Sequence, residues 1–375
     1  MKKYLLHPVG LPAIVLVLLS LSLLQAHAEG VLPVLERPAM ISRKAAQSVL
    51  LDITSCGRRL IAVGERGHIL VSQDNGATWQ QKPAPVSVTL TGVAFPSPLV
   101  GWAVGHSGVV LNSEDGGETW RKQLDGYQAA ELAMAAVVAR KSTEEGMESF
   151  LRDQAEAEGL MDDGPDKPFL DLFFTDIQNG FVVGAYNLMF HTTDGGKTWA
   201  PWMNHTKNPN GYHLYHMLHF ANDFYLAGER GLLLRSTDQD QTFQALPFPY
   251  EGSLFGLIGL KSGMLIAYGL RGHALQSSDR GATWIPLNTG AQASITDAIE
   301  IKDGRLLLVT QSGQVLISSD HLDSFSSIAM ETSFPFAAVV QAENGDLVIV
   351  GARGIQVVAA GQFCQLADKS SGDRK

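Results

Sequence analysis

Short apolar stretches separated by glycine-bearing turns run through most of the chain, and their spacing repeats. The segment AVGERGHILVSQDNGATW at 62–79 returns as AVGHSGVVLNSEDGGETW at 103–120 and VVGAYNLMFHTTDGGKTW at 182–199. It returns again as LAGERGLLLRSTDQDQTF at 226–243 and AYGLRGHALQSSDRGATW at 267–284, then more loosely at 308–325 and 349–366. The third residue of each copy is Gly64, Gly105, Gly184, Gly228, Gly269, Thr310 and Gly351, at intervals of 41, 79, 44, 41, 41 and 41. A period near 41 with four strand-like pieces per unit predicts an all-β fold, a seven-bladed β-propeller.

Within a unit, an apolar strand such as Leu50-Leu51-Asp52-Ile53 opens the blade and a second strand ends at the anchor glycine. A tight turn follows, ending in Gly67, Gly108, Asn187, Gly231, Gly272, Gly313 or Gly354, residues that tolerate positive φ. The next turn carries S/T-x-D-x-G-x-T-W, an Asp box. Its aspartates, Asp74, Asp115, Asp194, Asp238, Asp279 and Asp320, are placed to accept backbone N–H groups, while Trp79, Trp120, Trp199 and Trp284 bury apolar area. Spread around a ring, six such aspartates read as turn locks and not as a converging metal or acid site. The seventh unit lacks an Asp box and a fourth strand, so the segment Leu32–Ser42 is expected to complete the last blade and close the ring.

Two stretches break the repeat. Met1-Lys2-Lys3, the apolar run Val9–Leu24 and Ala26-His27-Ala28 have the layout of a secretory signal peptide over 1–28, too short to span a bilayer. The long interval holds an insertion at about 124–167, read as a helical hairpin between blades 2 and 3. Its first helix covers Tyr127–Lys141; the second is capped by Thr143 and ends at Gly159. The propeller is then one domain over 29–366, and 367–375 is expected to be a disordered tail.

The parity of antiparallel strands puts the turn between strands two and three on the same face as the connection to the next blade, and the Asp boxes on the opposite face. Two residues after each anchor the sequence reads Arg66, Ser107, Tyr186, Arg230, Arg271, Ser312 and Arg353. Four arginines at one turn position form two neighbouring pairs once the ring closes, on a chain of net charge −10 that is a poor match for nucleic acid. Carboxylate-bearing partners suit these guanidinium forks. The competing reading is local pairing with Glu65, Glu229 or an inner-strand column of Asp52, Gly92, Asp171, His216, Gly256, Asp297 and Ala338. His205, His213, His216 and His219 do not converge at metal-ligand spacing, and no metal or cofactor is expected. Cys56 and Cys364 fall on the Asp-box face of blades that closure makes adjacent, which predicts a disulfide in an oxidising compartment.

The glycine-turn, strand and Asp-box pattern, best shown by TGVAFPSPLVGWAVGHSGVVLNSEDGGETW at 91–120, resembles the photosystem II stability/assembly factor family of BNR-repeat propellers. That resemblance implies a non-catalytic scaffold, exported to the periplasm or an equivalent compartment, that binds a membrane protein complex or its assembly intermediate. It implies that Arg66, Arg230, Arg271 and Arg353 form the partner face. Asp boxes also mark sialidases, which need convergent arginines and a tyrosine nucleophile activated by a glutamate. Here the arginines and Tyr186 occupy one equivalent turn of different blades, which is how repetition generates coincidences. A small-ligand site in the channel is the third alternative.

Overall fold

A computed structural model describes residues 32–140, 147–237 and 242–363. Seven antiparallel sheets follow one another along the chain, six of four strands and the last of three. Their inner strands are Leu50–Cys56, Leu90–Ala94, Phe169–Phe174, Leu214–Phe220, Leu254–Gly259, Ile295–Glu300 and Phe336–Gln341. Each packs against the next, and the last packs against the first, so the ring closes. The second strands, such as Gly101–Gly105 and Leu347–Gly351, are buried along their whole length between neighbouring sheets. This explains why they read as unbroken apolar runs and not as alternating ones.

Closure differs from the expectation for Leu32–Ser42. This segment forms a short helix, α1 (Pro33–Glu36), and supplies no strand to the last sheet. Pro33 and Pro38 lack the N–H a ladder needs, and Leu35 is fully buried in the cluster between blades 1 and 2. Ala39 N donates to Ala84 O at 3.0 Å and Ser87 N to Val34 O at 2.9 Å, fastening the segment to that joint. The ring is sealed by packing: Leu50, Ile53, Leu60 and Ala62 of blade 1 share one core with Ala338, Val348 and Val350 of blade 7. Past the third strand of blade 7, helical residues 360–363 seat Phe363 in that blade's core.

Two helices stand between blades 2 and 3. The first, α2 (Gly126–Ala139), starts at a capping box in which Asp125 accepts Gln128 N at 3.2 Å and the Gln128 side chain accepts Asp125 N at 3.1 Å. The second, α3 (Met147–Asp163), continues past Gly159; Thr143 lies outside the described residues. Ala133, Val137 and Ala157 pack between the helices, with Met203 beneath them. The hairpin therefore rests on blade 3 beside Tyr186, in the sector where the arginine column has no arginine.

Candidate partner-binding face

The turns between second and third strands share one construction. At Glu65-Arg66-Gly67-His68, the His68 N–H donates to Glu65 O at 3.0 Å, and the two central residues have φ of 56° and 73°, a type I′ turn. Gly108, Asn187, Gly231, Gly272, Gly313 and Gly354 likewise have positive φ, matching the sequence pattern. The turn also needs positive φ one residue earlier, which the pattern of glycines did not reveal. Arg66, Ser107, Tyr186, Arg230 and Arg271 hold φ between 54° and 59° there, a conformation that costs a side-chain-bearing residue roughly 1–2 kcal/mol. Ser312 and Arg353 are the exceptions: their turns carry positive φ at Gly313 and Gly354 alone.

All four arginines are exposed. Arg230 lies 4.0 Å from Glu229 Oε1 and sits over the Tyr212 ring at 5.8 Å, with its side chain 70% exposed. Among the described residues, Arg66, Arg271 and Arg353 make no ion pair. The adjacent glutamates are turned to other work: Glu65 Oε1 accepts Val49 N at 3.2 Å, and Glu229 Oε2 accepts His213 N at 3.4 Å. Each glutamate thus ties its turn to the segment entering its own blade.

The inner-strand column does not reach the arginines either. Asp52 accepts Ile53 N and, across the blade boundary, Val93 N, both at 2.7 Å. Asp171 accepts Met217 N at 2.8 Å and contacts His216 Nδ1 at 2.9 Å. Asp297 accepts Ala298 N and Val339 N at 2.8 Å. These carboxylates line the channel and staple one inner strand to the next. Burial, with the charges of Asp297 and Asp171 adding to it, pushes the Asp52 carboxyl well above the usual range. Burial likewise raises Asp297, to about 6, against the pull of its backbone donors. Burial opposes charge on His216, but the Asp171 carboxylate outweighs it and the imidazole pKa is raised.

The Asp boxes occupy the turn between strands three and four, at the far end of the blades. Asp74 accepts Thr78 N at 2.9 Å, Thr78 Oγ1 at 2.6 Å and Ser72 Oγ at 2.8 Å, and these bonds hold its carboxyl down at about 2. Asp115, Asp194 and Asp279 repeat the arrangement. Asp320 does not: Leu322 replaces the box glycine at φ 62°, Ser324 replaces the threonine, and Ser318 Oγ accepts Leu306 N instead of bracing the turn. Asp238 lies outside the described residues, as does Cys364; Cys56 is a half-buried thiol at the end of the first inner strand.

The four histidines separate. His205 stacks on Trp202, His213 meets Tyr186, His216 faces Asp171 in the channel, and His219 packs against Phe224. Tyr186 has Lys167 over its ring at 5.2 Å and the His213 ring at 4.6 Å. Sequence reasoning passed over a further layer. In every blade the ladder slips by one residue at the start of the inner strand, leaving Leu51, Thr91, Leu170, Tyr215, Phe255, Thr296 and Ala337 as bulged positions. The aligned column directly before Asp52 and its equivalents was the available signal.

Residues 160–324 match the family model of the photosynthesis system II assembly factor YCF48. The photosystem II assembly lipoprotein Ycf48 of Synechococcus sp. (strain CC9902) is 31% identical over 100 residues, a match spanning 26% of this chain and 30% of that protein. Among solved structures, YCF48 bound to a D1 peptide superposes with a TM-score of 0.61 at 14% identity, covering 86% of this chain and 95% of that one. YCF48 from Cyanidioschyzon merolae gives 0.59 at 13% identity over 83% and 95%. The WD40 propeller of Doa1 gives 0.59 at 11% identity over 87% and 96%, so these superpositions speak for the propeller fold. In its Asp-box blades and over the matched region at 160–324, the chain is similar to the photosystem II assembly factor propellers.

Proposed function

We propose that this protein is a non-catalytic, exported scaffold that binds a membrane protein complex, or an intermediate in its assembly, through the face bearing Arg66, Arg230, Arg271 and Arg353. The observation that carries the reading is that these guanidinium groups are exposed and that, apart from the 4.0 Å contact of Arg230 with Glu229, the adjacent glutamates are engaged with backbone N–H groups elsewhere. Three of the four sit in left-handed turns where glycine would be more comfortable, a strain whose compensation is sought in function. The related Ycf48 proteins carry photosystem II assembly in their names, and one was solved with a D1 peptide, which points to a membrane subunit as the kind of partner.

In this reading the signal peptide over 1–28 delivers the chain outside the cytoplasm, and Cys56 pairs with Cys364 across the closed ring. Among the described contacts the Tyr186 ring meets Lys167 and His213, and neither is the glutamate that a sialidase-type nucleophile requires. Affinity capture from detergent-solubilised membranes, comparing wild type with a variant carrying Ala at all four arginines, tests the proposal. A membrane complex held by wild type and lost by a folded variant is expected; equal capture by both rejects the arginine face.

A further inference from the structure

The seven bulged residues are not evenly polar, and on one side of the ring they enclose a depression of about 350 Å³ at the mouth of the channel. Its wall includes Val49, Leu51, Phe255, Ala337 and Ala352, with Thr296 and Gln311 as its polar members, contributed by blades 1, 5, 6 and 7. A β-bulge re-aims the side chain of its extra residue, and here the same slip is repeated at the lip of the channel. Three arginine turns are tied to this wall. Glu65, next to Arg66, holds Val49 N; Ala352, a wall residue, precedes Arg353; and Arg271 N donates to Ser294 Oγ at 3.3 Å, two residues before Thr296. One residue deeper on the inner strands stand Asp52, Asp171, His216 and Asp297.

We infer that this depression is an anchor pocket for one large apolar side chain of an extended peptide segment whose flanking residues are acidic. The charges set the register. A carboxylate descending the channel meets three aspartates and one imidazole, His216, which Asp171 already holds at 2.9 Å, whereas at the rim it meets guanidinium groups. A cationic segment is turned away at the rim before it reaches the aspartates. An apolar group suits the mostly apolar wall between those two layers, and successive same-face residues of an extended chain, about 7 Å apart, let the flanks stay at the rim. The inference rests on the arginine-face reading and adds the chemistry of the segment that face accepts.

Fluorescence anisotropy with the purified chain and three labelled peptides, blocked at both ends, tests it: Asp-Ser-Phe-Ser-Asp, Asp-Ser-Ala-Ser-Asp and Lys-Ser-Phe-Ser-Lys. The expected result is that the Phe-centred acidic peptide binds about tenfold or more tightly than either control, since filling the pocket removes one aromatic side chain from water. Ala337→Trp, which fills the pocket, and Phe255→Ser, which opens it, are both expected to abolish that preference in proteins whose thermal melts show them folded. Failure of all three peptides to bind wild type, or an unchanged preference in both folded variants, overturns the inference. The two readings fail separately. Unchanged affinity of the four-arginine variant for the acidic peptides refutes the arginine face and, with it, the acidic flanks. Equal affinity of wild type for the Phe- and Ala-centred acidic peptides, with the four-arginine variant binding neither, refutes the apolar anchor alone.

Discussion

Replacing Arg66, Arg230 and Arg271 by glycine should make the protein more stable while removing its proposed partner contacts. The three residues sit at φ 56°, 54° and 57°, where an L side chain costs roughly 1–2 kcal/mol and glycine costs nothing. Glycine also enlarges the unfolded ensemble, which returns about 0.5–1 kcal/mol per site. The net gain is about 0.5 kcal/mol at each turn, so the triple variant gains roughly 1–2 kcal/mol. In a domain of this size that corresponds to a rise in Tm of about 1–3 °C. The exposed side chains contribute little to offset it, because among the described residues only Arg230 has a nearby carboxylate, at 4.0 Å. Arg353 is an internal control, since its own φ is not positive and Arg353→Gly should bring no gain. Differential scanning calorimetry of the triple variant, of Arg353→Gly and of wild type decides the matter. A triple variant that melts below wild type would show that the turns are unstrained and that the arginines stabilise them, removing the main structural argument for a functional cost.

Three further outcomes follow from the channel, the Asp boxes and the cysteines. With their pKa values raised, Asp52, Asp297 and His216 bind more protons in the folded state and stabilise it less as pH rises between about 4 and 7, whereas burial lowers His191 to about 4 and acts the other way. The change of Tm with pH should therefore be more positive in Asp52→Asn/Asp297→Asn than in wild type, and an equal or more negative slope contradicts the assignment. Below pH 4 the sign reverses, because Asp74 and Asp279, held at about 2, lose their turn bonds on protonation; a Tm that keeps rising down to pH 2 refutes this. Asp115→Ala should lower Tm and Asp320→Ala should leave it within a degree, since only Asp115 braces its turn; equal losses would refute the distinction. Thiol labelling of the unreduced, denatured protein purified from an exported fraction should find no free thiol if Cys56 and Cys364 are paired, and two if they are not.

Much of the ring was legible in the chain because the repeat is short and its turns demand particular residues. Gly67 and its equivalents declared positive φ, and Trp102, Tyr225 and their neighbours on the second strands declared burial on both faces. What escaped was set by packing between blades. Leu32–Ser42 has the place in sequence of a closing strand, but Pro33, Pro38 and the burial of Leu35 send it to the joint of blades 1 and 2. Asp52, Asp171 and Asp297 stand in sequence as candidate partners for the arginines because the two columns lie near one face. In three dimensions their oxygens are taken up by the N–H groups of Val93, Met217 and Val339 on the following blades, contacts that no local pattern announces. The strain at Arg66, Arg230 and Arg271 was hidden for a related reason: a type I′ turn needs two left-handed residues, and the sequence marks only the second with glycine.

The most direct measurement is site-specific photo-crosslinking with the partner complex in native membranes. A crosslinking residue at Ser312 lies on the turn face beside the arginines, and one at Lys197 lies in an Asp box on the opposite face. The account predicts adducts to a membrane subunit from position 312, lost when the four arginines are replaced, and none from position 197. Adducts from position 197 alone, or from position 312 regardless of the arginines, would contradict it.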